Sequence, residues 1–287
     1  MPMNNLLRSI LCVLAFFFLV PSSAPAASNP PPQTIKLERF RKALWTVRVT
    51  LNGKTGDFLF DTGGGNTMVT ERFAADWGCE FWGRTTGYNM FGERIDTPHC
   101  DNVSISAGGV QLTTVHVGKI DFGDRFAGDK TPEGLLSLDA FDGKIITIDQ
   151  STAMITIESE ASLRTRIDDM RELPLRISRE CSARCLSVFL GVARPEGMTW
   201  LTLDTGAGGV SLIAREYART FGLDPNAKEQ RLRFEIADDI AVDSPVIVTD
   251  MIMDGNLGQP FLSQHLVTLD LATGRIWIQP RGHQTAS

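Results

Sequence analysis

The chain is written twice. Phe58-Leu59-Phe60-Asp61-Thr62-Gly63 and Leu201-Thr202-Leu203-Asp204-Thr205-Gly206 each place apolar residues two apart ahead of Asp-Thr-Gly. Alternation at that period is a strand with one buried face, and the glycine breaks it into a tight loop. After a one-residue offset, Thr67-Met68-Val69-Thr70-Glu71-Arg72-Phe73-Ala74 lies over Ser211-Leu212-Ile213-Ala214-Arg215-Glu216-Tyr217-Ala218, and Trp77-Gly78 over Phe221-Gly222. Both copies predict a short amphipathic helix that ends at the glycine. Each half closes alike: Ile146 to Ile157 lies over Val267 to Ile278 without a gap, reading as strand, Asp-led turn and strand. Leu135-Leu136-Ser137 precedes the first hairpin as Asn256-Leu257-Gly258 precedes the second. A lone Asp-Thr-Gly is common in turns. Two copies with matching flanks, helix and closing hairpin point to a duplicated unit.

Such a chain is expected to be mostly β and to form two similar lobes, over residues 35–158 and 173–281. The charged stretch 159–172 reads as their connection and the proline-rich stretch 28–34 as a flexible tail. A chain of 287 residues, 43% of them hydrophobic, is long enough for more than one compact unit. Charged residues make up 22% and the formal net charge is −6, with no basic run interleaved with aromatics. Nucleic acid and anionic membranes are therefore not expected as partners.

Arg8 precedes an apolar run from Ile10 to Val20, followed by Pro21-Ser22-Ser23 and the small residues Ala24-Pro25-Ala26-Ala27. Positive start, short apolar middle and small-residue end predict a signal peptide over residues 1–27. The other reading is a membrane anchor, but a bilayer span needs about 20 apolar residues. The expectation is export to the periplasm or the extracellular space, with no stable membrane span once the signal is removed. Cys12 would leave with it, and Cys79, Cys100, Cys181 and Cys185 remain. An oxidising compartment favours disulfides, and four cysteines allow three pairings. Cys79–Cys100 with Cys181–Cys185 keeps each bridge inside one half and is preferred; unpaired buried thiols are the other reading. The histidines are scattered, and neither Cys-x-x-Cys nor His-Glu-x-x-His occurs. No metal and no cofactor is expected.

The duplication has a chemical meaning if the lobes pack about a pseudo-twofold axis, so that the Asp61 and Asp204 loops meet there. Two carboxylates that close share one proton. The ionised one takes a proton from water and the protonated one donates to a substrate carbonyl, so one pair supplies general base and general acid. Gly63 and Gly206 let backbone N–H groups approach the carboxylates, and Thr62 and Thr205 can bond across to the opposite loop. Taken singly, either Asp reads as a turn residue capping its own backbone.

Asp61-Thr62-Gly63 and Asp204-Thr205-Gly206 resemble the active-site loops of aspartic peptidases, and the resemblance covers nearly the whole chain after the leader. Asn256-Leu257-Gly258 and the run Pro260 to Ile278 look like the closing part of a pepsin-type lobe. Gly134 to Phe141 looks like its counterpart in bacterial retropepsin-like lobes. The short lobes and Ala207 are closer to retropepsins, while two copies in one chain are pepsin-like. The resemblance implies a bilobal pepsin-like acid-protease fold: two pseudo-twofold-related, β-barrel-like lobes with short helices. It implies an aspartic endopeptidase with Asp61 and Asp204 catalytic and Thr62, Gly63, Thr205 and Gly206 supporting them. The substrate would be a peptide or protein, bound extended between the lobes. A β-hairpin flap over that cleft would match Thr85 to Gly92, with Tyr88 covering the substrate; an ordinary surface hairpin with Tyr88 packing locally is the plainer reading. One flap is expected rather than two. Because one chain supplies both halves of the site, a monomer is expected.

The chain also departs from the family. Pepsins carry Ser or Thr after Asp-Thr-Gly, whose hydroxyl bonds the carboxylate; here stand Gly64, expected to loosen its loop, and Ala207. Ser137 stands where the family has Gly. These departures keep a second reading in play: a catalytically impaired pseudo-peptidase that binds peptides or polymers in the cleft. A serine hydrolase is disfavoured by the lack of a Gly-x-Ser-x-Gly elbow, and a nucleotide-cofactor enzyme by the lack of a phosphate loop. Ala107-Gly108-Gly109 reads instead as a hairpin turn.

Overall fold

A computed structural model describes residues 30–127 and 130–281. The expected signal peptide and Cys12 lie outside the described residues. The first lobe opens with an antiparallel meander of β1 (Gln33–Phe40), β2 (Leu44–Leu51) and β3 (Lys54–Phe60). After the Asp61 loop, β4 (Met68–Thr70) runs into helix α1 (Glu71–Ala75), which Thr70 caps by accepting from the Phe73 N–H at 3.3 Å. A hairpin of β5 (Trp82–Tyr88) and β6 (Arg94–Asp101) follows. β7 (Ile105–Ala107) and β8 (Val110–Gln111) then pair about Gly108-Gly109, whose φ values of +57° and +81° make the turn the sequence called for. β9 (His116–Ile120) and β10 (Gly134–Leu136) lead to the closing hairpin, β11 (Ile145–Asp149) with β12 (Met154–Ile157).

The connection holds helix α2 (Glu160–Arg166), closed at its start by a Ser159–Ser162 capping box, and strand β13 (Arg171–Leu173). Buried Glu158 anchors it, accepting from Thr147 Oγ1 at 2.7 Å and from Arg166 Nε at 3.0 Å. The second lobe repeats the first with β14 (Leu175–Ser178), β15 (Ser187–Arg194), β16 (Gly197–Leu203) and β17 (Ser211–Ala214). It continues with β18 (Gln230–Ala237), β19 (Ile240–Thr249), β20 (Gly255–Leu257), α3 (Gln259–Leu262), β21 (His265–Asp270) and β22 (Arg275–Pro280).

The repeat is topological as well as sequential. β10 inserts between β3, parallel to it, and β4, antiparallel; β20 inserts in the same way between β16 and β17. β9 runs parallel to β4 as β19 does to β17. The stretch expected to carry a helix is half strand. β4 precedes α1, and β17 precedes a 3-10 helix, Arg215–Phe221, because those residues fill the edge beside β10 and β20. Gly222 caps the second lobe's helix as expected, with φ of +68°, whereas α1 ends at Ala75 with Asp76 as its cap and Gly78, φ +76°, turns the chain two residues later.

The lobes join in one sheet of order β13-β22-β21-β11-β12-β1. At its centre β11 and β21 pair antiparallel, with Thr147 opposite Thr268 and their hydroxyls 2.8 Å apart. Those two threonines are equivalent in the sequence repeat, so the pseudo-twofold axis passes between them. The lobe boundaries shift slightly from the expected ones. Gln33 pairs with Ile157 and Arg171 with Ile278, so each lobe begins two residues earlier than its local pattern indicates, and the expected linker holds a helix. Those strand starts are fixed by partners at the far end of each lobe, which no local signal reveals. The Asp-led turns form as read: Asp149 Oδ1 accepts from Ser151 and Thr152 N–H, each at 3.0 Å, and Asp270 Oδ1 from Ala272 and Thr273 N–H at 2.9 and 3.0 Å.

The inward side chains of the two aspartate-bearing strands build the core: Phe58, Phe60, Leu201 and Leu203 are buried, with Phe141 and Phe261 packed behind. Each such side chain contributes roughly 1.5–3 kcal/mol. Both expected disulfides are present, Cys79–Cys100 tying the end of the α1 segment to β6 and Cys181–Cys185 closing the loop between β14 and β15. Among the described residues no helix is long and apolar enough to cross a membrane.

Candidate active site

The Asp61 and Asp204 loops are supported from below in the same manner. The N–H of Asp61 donates to Leu136 O, and that of Asp204 to Leu257 O, each at 3.0 Å, so β10 and β20 fix where the strands end. The loops then grip each other. Thr62 Oγ1 donates to Leu203 O at 2.7 Å and accepts from the Thr205 N–H at 3.0 Å. Thr205 Oγ1 donates to Phe60 O at 2.9 Å and accepts from the Thr62 N–H at 3.0 Å. All of these bonds are buried, so they act in a low dielectric and lock the loops together.

Glycine is required at the third position of both triplets by close approach. A Cβ on Gly63 would fall 2.5 Å from Asp204 Cγ, and one on Gly206 2.4 Å from Asp61 Cγ. Each carboxylate therefore lies against the loop of the opposite lobe. Asp61 and Asp204 are 7% and 5% exposed, and both carboxyl groups are buried where the two loops meet. Burial first, then the charge of Asp204 and the hydrogen bond to it, push Asp61 well above the usual carboxylate range. The Arg125 guanidinium and the Gly63 N–H oppose that rise. Two acids in such contact hold one proton between them and titrate as a pair.

The two carboxylates are not supported equally. Asp61 Oδ1 accepts from the Gly63 N–H at 3.0 Å. Asp204 Oδ1 accepts from the Gly206 and Ala207 N–H groups at 2.7 and 3.1 Å, and its Oδ2 from Asn256 Nδ2 at 2.6 Å. Gly64 does not loosen its loop, as the sequence led one to expect. A Cβ there would fall 2.6 Å from Leu135 Cδ2, so the loop is packed tightly against β10. Ser137 is fully buried, its N–H donating to Thr67 Oγ1 at 3.2 Å, and it leaves the Leu136 carbonyl free to hold Asp61.

The β5–β6 hairpin lines a cavity together with Gly63, Gly64 and Gly65. Its tip turns at Asn89, whose Oδ1 accepts from the Phe91 and Glu93 N–H groups, each at 3.0 Å, and at Gly92 with φ +81°. It reaches across to the second lobe, where the Ile252 N–H donates to Met90 O at 3.0 Å. Tyr88 is 62% exposed and lines both cavities beneath the hairpin. One cavity, of about 360 Å³, runs along Gly63, Gly64 and Gly65 to Met68, Met90 and Arg125. The other, of about 720 Å³, lies between the hairpin and Phe189, Trp200, Ile252 and Met253 of the second lobe. The second lobe's own hairpin, β18 with β19, lines neither of them.

Several site residues carried no sequence signal. Arg125, in a 3-10 turn, donates to Gly206 O at 3.2 Å. The Cys181–Cys185 loop, in which Cys181, Ser182 and Ala183 all have positive φ, walls the cavity, and the Leu186 N–H beside it donates to Gly65 O at 2.7 Å. Asn256 did leave a trace, as a polar residue standing where the other copy has Leu135.

Residues 47–140, which span β2 to the turn after β10 and include Asp61, match the aspartyl protease family. No curated protein matches the sequence. Among solved structures the chain is similar to basic 7S globulin from soybean, at 10% identity and a TM-score of 0.54, over 87% of this chain and 95% of that one. It is also similar to conglutin gamma, a unique basic 7S globulin from lupine seeds, at 10% identity and a TM-score of 0.55, over 88% and 96% of the two chains. The likeness extends over both lobes and establishes the bilobal pepsin-like fold.

Proposed function

We propose that this aspartic-protease-like chain is an endopeptidase that hydrolyses peptide bonds between Asp61 and Asp204. One observation carries the reading: two buried carboxyl groups from equivalent loops each lie against the glycine of the opposite loop, inside a reciprocal threonine grip. Such a pair holds one proton. Its ionised member deprotonates a water and its protonated member polarises the scissile carbonyl, so no covalent intermediate is required. The substrate is a peptide lying extended in the cleft under the 85–92 hairpin, with Tyr88 over it. The two disulfides fit an oxidising compartment outside the cytoplasm. Both carboxylates come from one chain, so a monomer suffices.

The test is cleavage of an unstructured protein by the purified chain across pH. We expect a bell-shaped profile, block by a statine-type transition-state mimic, and a loss of about a thousandfold or more in Asp61→Asn and in Asp204→Asn. Cleavage that persists in both variants, or a rate flat from acid to alkaline pH, overturns the reading. A second reading is a protein that binds peptides or polymers without cutting them. It is favoured by the bond from Ile252 to Met90, which ties the flap across the cleft, and by Arg125 on the Gly206 carbonyl. The similar solved structures are also named as globulins. Binding of the statine mimic with no cleavage at any pH selects it.

A further inference from the structure

We propose that Asn256 decides which aspartate carries the charge, holding Asp204 as the ionised, water-activating carboxylate and leaving Asp61 as the proton donor. The inference deepens the peptidase reading and rests on it. An ionised carboxylate only accepts hydrogen bonds, and each donor aimed at it favours the charged form. Asp204 receives three: Gly206 N–H at 2.7 Å, Ala207 N–H at 3.1 Å and Asn256 Nδ2 at 2.6 Å. Asp61 receives one from its own lobe, the Gly63 N–H at 3.0 Å. The two loops are otherwise near copies, so the imbalance comes from specific residues.

Asn256 is the residue that breaks the symmetry most. It sits in β20, fully buried, and its equivalent in β10 is Leu135, which has nothing to donate. Strand pairing leaves it little freedom: it lies opposite Thr202 on β16 and Leu212 on β17. Its amide therefore occupies the role of the hydroxyl that pepsins carry after Asp-Thr-Gly and that Ala207 lacks. The group reaches the carboxylate from the floor of the loop instead of from its tip. The amide's Oδ1 has no partner among the described residues, so the bond to Asp204 is the one its side chain makes.

The surrounding charges are few. Arg125 faces the pair and favours ionisation of Asp61, so it works against Asn256. Asp254, two residues before Asn256, is tied to the Trp200 N–H at 2.8 Å. Asp139 lies behind Thr67, bonded to its hydroxyl at 2.6 Å, on the first-lobe side. Asn256 lines neither cavity and acts through its bond to Asp204, so it is a positioning residue.

The test is Asn256→Leu, which copies Leu135 into the second lobe, read by the pH profile of kcat and by carboxyl carbon NMR of aspartate-labelled full chain. The Asp61 and Asp204 signals are assigned with Asp61→Asn and Asp204→Asn. Loss of the donor moves the acid limb of the profile, and the first ionisation of the pair, to higher pH by about one unit or more. At the acid end kcat falls about tenfold while KM stays within about twofold. Asn256→Ala serves as the second variant should the leucine prevent folding. An unmoved profile and unmoved resonances in a folded variant overturn the proposal. So does a shift to lower pH, which would mean that the amide accepts from a protonated Asp204. The NMR titration reads out even if the wild-type chain cleaves nothing, so failure of this proposal is distinguishable from failure of the peptidase reading.

Discussion

The two lobes share a topology and an Asp-Thr-Gly triplet, yet they treat their aspartates differently. Beneath Asp61 lie apolar Leu135 and Ser137; beneath Asp204 lie polar Asn256 and Gly258. A Cβ on Gly258 would fall 2.5 Å from the Val210 carbonyl oxygen, whereas Ser137 is accommodated. The first lobe extends the β5–β6 hairpin, whose Met90 carbonyl accepts from the Ile252 N–H of the second. The second contributes a disulfide-closed loop, where the first has only the short turn between β1 and β2. The lesson is that duplication sets up a symmetric frame, and divergence of a few packed positions gives the two carboxylates unequal hydrogen-bond support. Reactions with one donor and one acceptor need that distinction.

The comparison can be tested most strongly through Asp139, whose aligned position in the second lobe is Pro260. Asp139 is 5% exposed, and burial pushes its carboxyl up to about 7 from 3.8. The folded chain therefore holds a proton there that the unfolded chain has released. Stability from this site is fully present below about pH 4 and drains away as pH rises through about 7, by up to about 4 kcal/mol. We expect Asp139→Asn to flatten that decline in urea unfolding followed from pH 4 to 8. An unchanged slope would show that the first lobe buries no such acid.

The disulfides should separate fold from function. In a chain-entropy picture, removing Cys79–Cys100, with 21 residues of separation, costs about 3 kcal/mol, and removing Cys181–Cys185, with 4, about 2 kcal/mol. The activity order should be the reverse, because the smaller loop walls the cavity and holds Gly65 through Leu186. Paired serine variants, compared by denaturation and by kcat/KM, check this. Equal activity losses would remove the functional asymmetry from that loop. The threonine grip, by contrast, should behave symmetrically. Thr62→Val and Thr205→Val each delete a buried donor and acceptor and should each cost about 2 kcal/mol. A difference above about 1 kcal/mol between them would mean that the lobes share the grip unequally.

Much of this was legible because its causes are local. Alternating apolar residues gave β3 and β16, the glycines gave the turns, and the Asp-led hairpins followed from side chains that cap their own backbone. The disulfide pairing was readable because each half had to close on itself. The β5–β6 hairpin was readable from Gly87 and Gly92 around an aromatic tip, although the sequence did not show that Ile252 would fasten it. The helix after each Asp-Thr-Gly loop was over-read, since Met68–Thr70 and Ser211–Ala214 carry apolar residues for a reason that only the neighbouring β10 and β20 explain.

What the sequence determined by itself is the duplicated frame: two equivalent loops, two acids, and the strands and turns that present them. These depend on periodicity and turn chemistry within a few residues. What only the tertiary structure decided is the inequality of the acids. Asn256 under Asp204, Arg125 near Asp61 and Leu186 on Gly65 are contacts between residues far apart in the chain. Their direction and burial arise from how the sheets pack, and packing is a property of the whole assembly of strands that no short segment encodes.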